Sequence, residues 1–70
     1  MILKARFTAN IDTLNQWLAK YQSINGPVHF FTESAFGSNS VIIGKDNEIM
    51  FFIGFVAGLG EHCLEIVSKA

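Results

Sequence analysis

From Ile49 to Gly60 the chain reads Ile49-Met50-Phe51-Phe52-Ile53-Gly54-Phe55-Val56-Ala57-Gly58-Leu59-Gly60, without one charged or hydrogen-bonding side chain. That run sets the terms on which a chain of 70 residues can fold. A domain of this size hides only about 60% of the surface its unfolded form exposes. An element apolar on every side therefore needs the middle of the fold, a partner or a membrane to cover it.

The membrane is tested by length. A spanning helix needs about 20 predominantly apolar residues, and this run is fenced by Asp46, Asn47 and Glu48 before it and by Glu61 and His62 after it. It is too short to span, although Gly54-Phe55-Val56-Ala57-Gly58 matches the GxxxG spacing of membrane helix pairs. Membrane insertion is not expected. The segment Met1 to Arg6 sets its charges inside an alternating pattern and lacks the apolar core of a signal peptide, so secretion is not expected either. Cys63 is the sole cysteine. An internal disulfide and a thiolate zinc cluster are thereby excluded, and a reducing, cytoplasmic setting fits best.

Cover by protein remains. Half of the residues are hydrophobic and only 16% are charged, against a usual quarter, which points to an oligomer or a dedicated binder. The charges are Lys4, Arg6, Lys20, Lys45 and Lys69 against Asp12, Glu33, Asp46, Glu48, Glu61 and Glu65, a formal net of -1 spread along the chain. There is no basic stripe to grip phosphates and no acidic block to imitate them. No direct nucleic-acid partner is expected.

The pattern along the chain predicts one α+β domain over residues 1–70. Residues 2 to 8 alternate, with Leu3, Ala5 and Phe7 on one face and Lys4, Arg6 and Thr8 on the other, as in a half-buried strand. Asn10 can cap a helix whose apolar arc is Ile11, Leu14, Trp17, Leu18, Tyr21 and Ile24. Asn25-Gly26-Pro27 ends it. Val28 to Thr32 predicts a second strand, Glu33 to Asn39 a loop and Ser40 to Gly44 a third strand. Residues 49 to 56 are simplest as a fourth strand, and residues 59 to 70 as an amphipathic helix with Leu59, Cys63, Leu64, Ile66, Val67 and Ala70 on one arc. The expected order is β-α-β-β-β-α, a four-stranded, mostly antiparallel sheet with both helices packed on one face.

The order α-β-β-β-α over residues 10 to 70, together with Gly26-Pro27-Val28-His29, resembles the layout of double-stranded-RNA-binding domains, which carry a similar Gly-Pro-x-His segment. That resemblance would imply contacts to an RNA backbone. Here, however, the segment begins a strand instead of joining two. The second helix opens with Gly60-Glu61-His62 where that family has a lysine cluster, so the cations for phosphate are missing and no residue is carried over.

Chemistry has few groups to work with. His62 and Glu65 lie three apart on one side of the expected helix and could join His29 around a metal, but a solvated charged face accounts for them better. Cys63 falls in the apolar arc as an inert core residue. His29 and Glu33 alternate with Phe31 on one strand face, as a shared binding pair or as plain solubilising groups on an edge. No Ser-His-Asp set, phosphate loop or dinucleotide fingerprint is present. Neither catalysis nor a cofactor nor a metal is expected.

With both helices on one face of the sheet, the other face carries Phe side chains into the open, and such patches mark interaction sites. The expected function is a small non-enzymatic interaction module that forms a homodimer or higher oligomer, or holds a target protein, as a regulator or inhibitor. Its candidate contacts are His29, Phe31, Glu33, Phe36, Asn39, Met50 and Phe52. Phe36 sits in an otherwise polar loop, either as an anchor for a partner or as a lid folded back on the core. Two alternatives stand beside this reading. One is a phage-type inhibitor or antitoxin-like protein acting on a host protein, an analogy from size alone. The other is a small-molecule binder or minimal enzyme using His29, Glu33 and His62.

Overall fold

A computed structural model describes residues 1–68 of the chain. The elements in order are β1 (Ile2–Phe7), α1 (Ile11–Asn25), β2 (Phe31–Ser34), β3 (Ser40–Lys45), α2 (Asp46–Gly58) and β4 (Cys63–Ser68). The α+β class, the four-stranded antiparallel sheet and the two helices follow the sequence expectation.

Local chemistry explains the first half. The alternation of β1 buries Ala5 and Phe7 and turns Leu3 toward the same core. The Asn10 side chain accepts a 2.8 Å hydrogen bond from the Thr13 N–H, closing the first turn of α1. At the other end Gly26 takes a φ of 86° and donates its N–H to the Gln22 carbonyl at 2.8 Å. That left-handed backbone is open to glycine at low cost.

The second half exchanges the last two expected elements. The apolar run is not a strand but most of α2, with Asp46 and Glu48 in the first turn where they complement the helix dipole. Gly60 does not open a helix; it ends one. Its φ is 87°, its N–H reaches the Ala57 carbonyl at 3.0 Å and the Glu61 N–H reaches the Val56 carbonyl at 3.0 Å. Those two bonds form the paired closure of a glycine C-terminal cap. The segment from Cys63 onward is then strand β4, hydrogen-bonded to β1. Lys69 and Ala70, which the helical reading included, lie outside the described residues. The exchange also removes the α-β-β-β-α order on which the likeness to RNA-binding domains rested.

The sheet order is β2-β3-β1-β4, and every ladder is antiparallel. Two β-α-β units are therefore interleaved, each with a strand of the other between its own two, the split arrangement. Both helices lie on the face that carries Ala5, Phe7 and Ile42. Phe52 of α2 is the centre of that core. Its ring meets Tyr21 at 5.4 Å, Phe30 at 5.7 Å and Phe7 at 6.0 Å between centroids, all near-perpendicular. Such edge-to-face pairs add about 0.5–1.5 kcal/mol beyond the area they bury. Gly44 makes room for this cluster, because a Cβ there would stand 2.7 Å from the Phe30 ring.

Candidate protein-interaction surface

The ladders place two cross-strand rows on the opposite, outer face of the sheet. One row is Phe31, Ile43, Lys4 and Val67, and the next is Glu33, Val41, Arg6 and Glu65, running from β2 to β4. Neither of the described helices covers this face. Val41 and Ile43 are nonetheless buried, because long side chains on the flanking strands stand over them. The face thus has an apolar floor along β3 between two ridges. Lys4 and Arg6 form one, and Phe31 and Glu33 form the other.

Phe36 extends the second ridge. The loop between β2 and β3 is pinched by the Ala35 N–H donating to the Asn39 carbonyl at 2.9 Å and turns on Gly37 at a φ of 72°. Phe36 at its tip is 97% exposed. It does not fold into the core, which overturns the lid reading. Instead it overlooks a cleft of about 410 Å³ on the outer face, shared with Lys4, Arg6, Val41, Glu65 and Val67.

Arg6 is under-partnered. Its guanidinium lies 3.9 Å from the Glu65 carboxylate, at the limit of an ion pair, with both side chains substantially exposed. Exposed pairs of that kind contribute about 0–1 kcal/mol. The Arg6 Nε is itself buried and has no acceptor among the described residues.

The sequence-derived contacts separate on this map. Phe31, Glu33, Phe36 and Asn39 belong to the outer face or its loop. His29 lies just before β2 and lines an apolar cavity of about 310 Å³ with Ile2, Phe31, Ile43, Lys45 and Glu48. Met50 and Phe52 do not share the face. Both sit on α2 in the helical layer, Met50 half exposed and Phe52 fully buried, so Phe52 is core and not contact. The correction follows from the helical period, which turns residues 49, 52 and 56 inward together.

His62 does not join His29. It adjoins Cys63, which pairs with Phe7 at one end of β1, whereas His29 lies beside Ile2 at the other end. Among the described residues no three His, Cys, Asp or Glu side chains converge. The Cys63 sulfur, half-buried, lies 3.2 Å from the Glu65 carbonyl and 3.5 Å from that of Arg6. Among the described residues no helix is long and apolar enough to cross a membrane.

Sequence reasoning passed over Lys4 and Arg6 as contacts, although the alternation of β1 already set them opposite the core. It also passed over Ile24, which with Tyr21, Asn25, Phe51 and Phe55 lines an open groove between the helices. Compared with protein-family models, curated proteins and solved structures, the chain matches none.

Proposed function

We propose that this chain is a non-catalytic protein-interaction module. It holds another protein chain, a copy of itself or a target that it regulates or inhibits, against the uncovered outer face of its sheet. The observation that carries this reading is the exposure of Phe31 at 74% and Phe36 at 97% on the same side of the sheet. Removing one such side chain from water stabilises a contact by about 1.5–3 kcal/mol, and large aromatics over a polar rim are the usual anchors of interfaces.

The test pairs the wild-type chain with a Phe31→Ser, Phe36→Ser variant. Because neither side chain belongs to the core, circular dichroism and thermal unfolding should stay unchanged. The wild type should bind a partner at stoichiometric level, itself in light scattering or a defined protein in capture, and the variant should release it. A wild type that remains a monodisperse monomer, binds no apolar dye and captures no protein would reject the reading.

The cavity beside His29 supports a second reading, a site for a small apolar molecule. Its volume falls at the lower end of ligand pockets. Amide shifts confined to Ile2, Phe31 and Ile43 on titration with small apolar compounds are the expected sign.

A further inference from the structure

We propose that the occupant of the outer sheet face is a second copy of this chain, related to the first by a twofold axis running along β3. The inference rests on the interaction reading above and adds the partner and the register. It comes from the order of strands and charges. β3 has β2 on one side and β1 on the other, so a twofold along β3 lays each copy's β2 over its partner's β1 without shifting residues along the strands. Phe31 and Lys4 share one cross-strand row, and Glu33 and Arg6 share the next. The operation therefore sets Phe31 of one copy over Lys4 of the other, and Glu33 over Arg6.

Each of these meetings is complementary. The Glu33 carboxylate arrives at a guanidinium whose Nε has no acceptor among the described residues and whose internal partner is held only at 3.9 Å. A carboxylate can take a guanidinium through two parallel hydrogen bonds. An ammonium over an aromatic face is likewise attractive. The apolar floors of Val41 and Ile43 lie nearest the axis. Lys45, at the exposed end of β3, also meets its own copy across this axis. An axis along β1, or one perpendicular to the strands, opposes more charge, because it sets both Lys4 and Arg6 against the same ridge of the partner, and like charges facing one another oppose association.

Packed sheets lie about 10 Å apart, within reach of an arginine and a glutamate extended from opposite sides. Aligned packing within about 30° is one of the two ordinary ways in which sheets stack. A stable dimer removes about 800 Å² per partner. That is a little under a fifth of this chain's 4370 Å², a share one face of a two-layered molecule can provide.

Sedimentation equilibrium on the full chain tests the proposal. The wild type should sediment at twice its 7.8 kDa mass. Phe31→Ser should weaken the dimer by about 10-fold or more, as should Glu33→Arg alone or Arg6→Glu alone. The chain carrying both Glu33→Arg and Arg6→Glu should dimerise again, because the pair is restored with its signs exchanged. Circular dichroism on each variant confirms the fold. As a check that needs no variant, a zero-length carbodiimide cross-link should join Lys4 of one copy to Glu33 of the other.

A monomeric wild type would overturn the inference. So would a dimer indifferent to Phe31→Ser, or a double exchange that fails to restore association. If the wild type is monomeric yet captures a target that the Phe31→Ser, Phe36→Ser variant releases, the interaction reading survives and the self-pairing does not.

Discussion

Phe51 and Phe52 are neighbours with opposite fates. Phe52 is fully buried among Phe7, Tyr21, Phe30 and Phe55, while Phe51, on the rim of the groove between the helices, is 70% exposed. Phe52→Ala should lower unfolding free energy by about 3–5 kcal/mol, the lost transfer plus the cavity left behind. Phe51→Ala should stay within about 0.5 kcal/mol, both measured by urea denaturation. Gly44 and Ser40 test the core from the strand side. Gly44→Ala should destabilise by about 1–3 kcal/mol, since its methyl group would meet the Phe30 ring at 2.7 Å and force that ring off Phe52. Ser40→Ala should act the other way. Its hydroxyl is fully buried with no hydrogen-bond partner among the described residues, so its removal should raise stability by about 1 kcal/mol. For a chain of this size that is a melting-point rise of roughly 4–8 °C. At this scale the sequence was informative wherever one residue has one physical job. Asn10 as a cap, Gly26 as a stop, and Ala5 and Phe7 as core follow from side-chain chemistry alone. The exposure of Phe36 does not, because an isolated aromatic in a loop is compatible with both burial and display.

At the scale of elements, α2 and β4 changed places relative to their sequence pattern, and the reason lies in amphipathicity. A helix apolar all round has no preferred face, so periodicity does not distinguish it from a strand buried on both sides, and length must arbitrate. The α2 helix runs 13 residues, well beyond an ordinary strand of about 5–6. The β4 strand misleads in the opposite sense. It lies at a sheet edge, where most of its side chains are exposed and the alternation of a half-buried strand is blurred. A bulge shifts its register between Arg6 and Phe7 as well, leaving Leu64 without a partner in the ladder. Gly60 decides between the two arrangements. With its left-handed φ and the two bonds to Val56 and Ala57, it fixes the end of α2 and frees Cys63 to start β4. Gly60→Ala should therefore cost about 1–2 kcal/mol, the penalty of a Cβ in left-handed backbone. Gly54→Ala, on the exposed side of α2 with open space at its Cβ, should stabilise by up to about 1 kcal/mol. Thermal unfolding of the two variants gives shifts of opposite sign if α2 ends where Gly60 places it.

Across the whole molecule, the interleaving of the two β-α-β units decides which parts can open and which surface remains for a partner. β1 and β3 are hydrogen-bonded on both sides, while among the described residues β2 and β4 each leave one edge of their backbone unpaired. β2 is a short edge of four residues. β4 has six and carries exposed Leu64, Ile66 and Val67. A long apolar edge is itself a template for pairing with another chain, so self-association has two geometries to choose between. Edge pairing would extend the sheet through β4, and face packing would stack two sheets across β3. The charges favour the face, since only there does Glu33 of one copy meet Arg6 of the other. Amide exchange separates the two without any substitution. Exchange by local opening follows the number of hydrogen bonds and apolar contacts that must break. The β1 and β3 amides should thus be the slowest, at the rate of global unfolding. The edge-facing amides of β4 should exchange fast, and in the face-packed dimer they should stay fast as protein concentration rises through the association range. The peptide groups around Phe31 and Phe36 should slow over the same range. Concentration-dependent protection of β4 with no change at Phe31 would place the second copy on the edge, and the Arg6–Glu33 contact would then have no role in assembly.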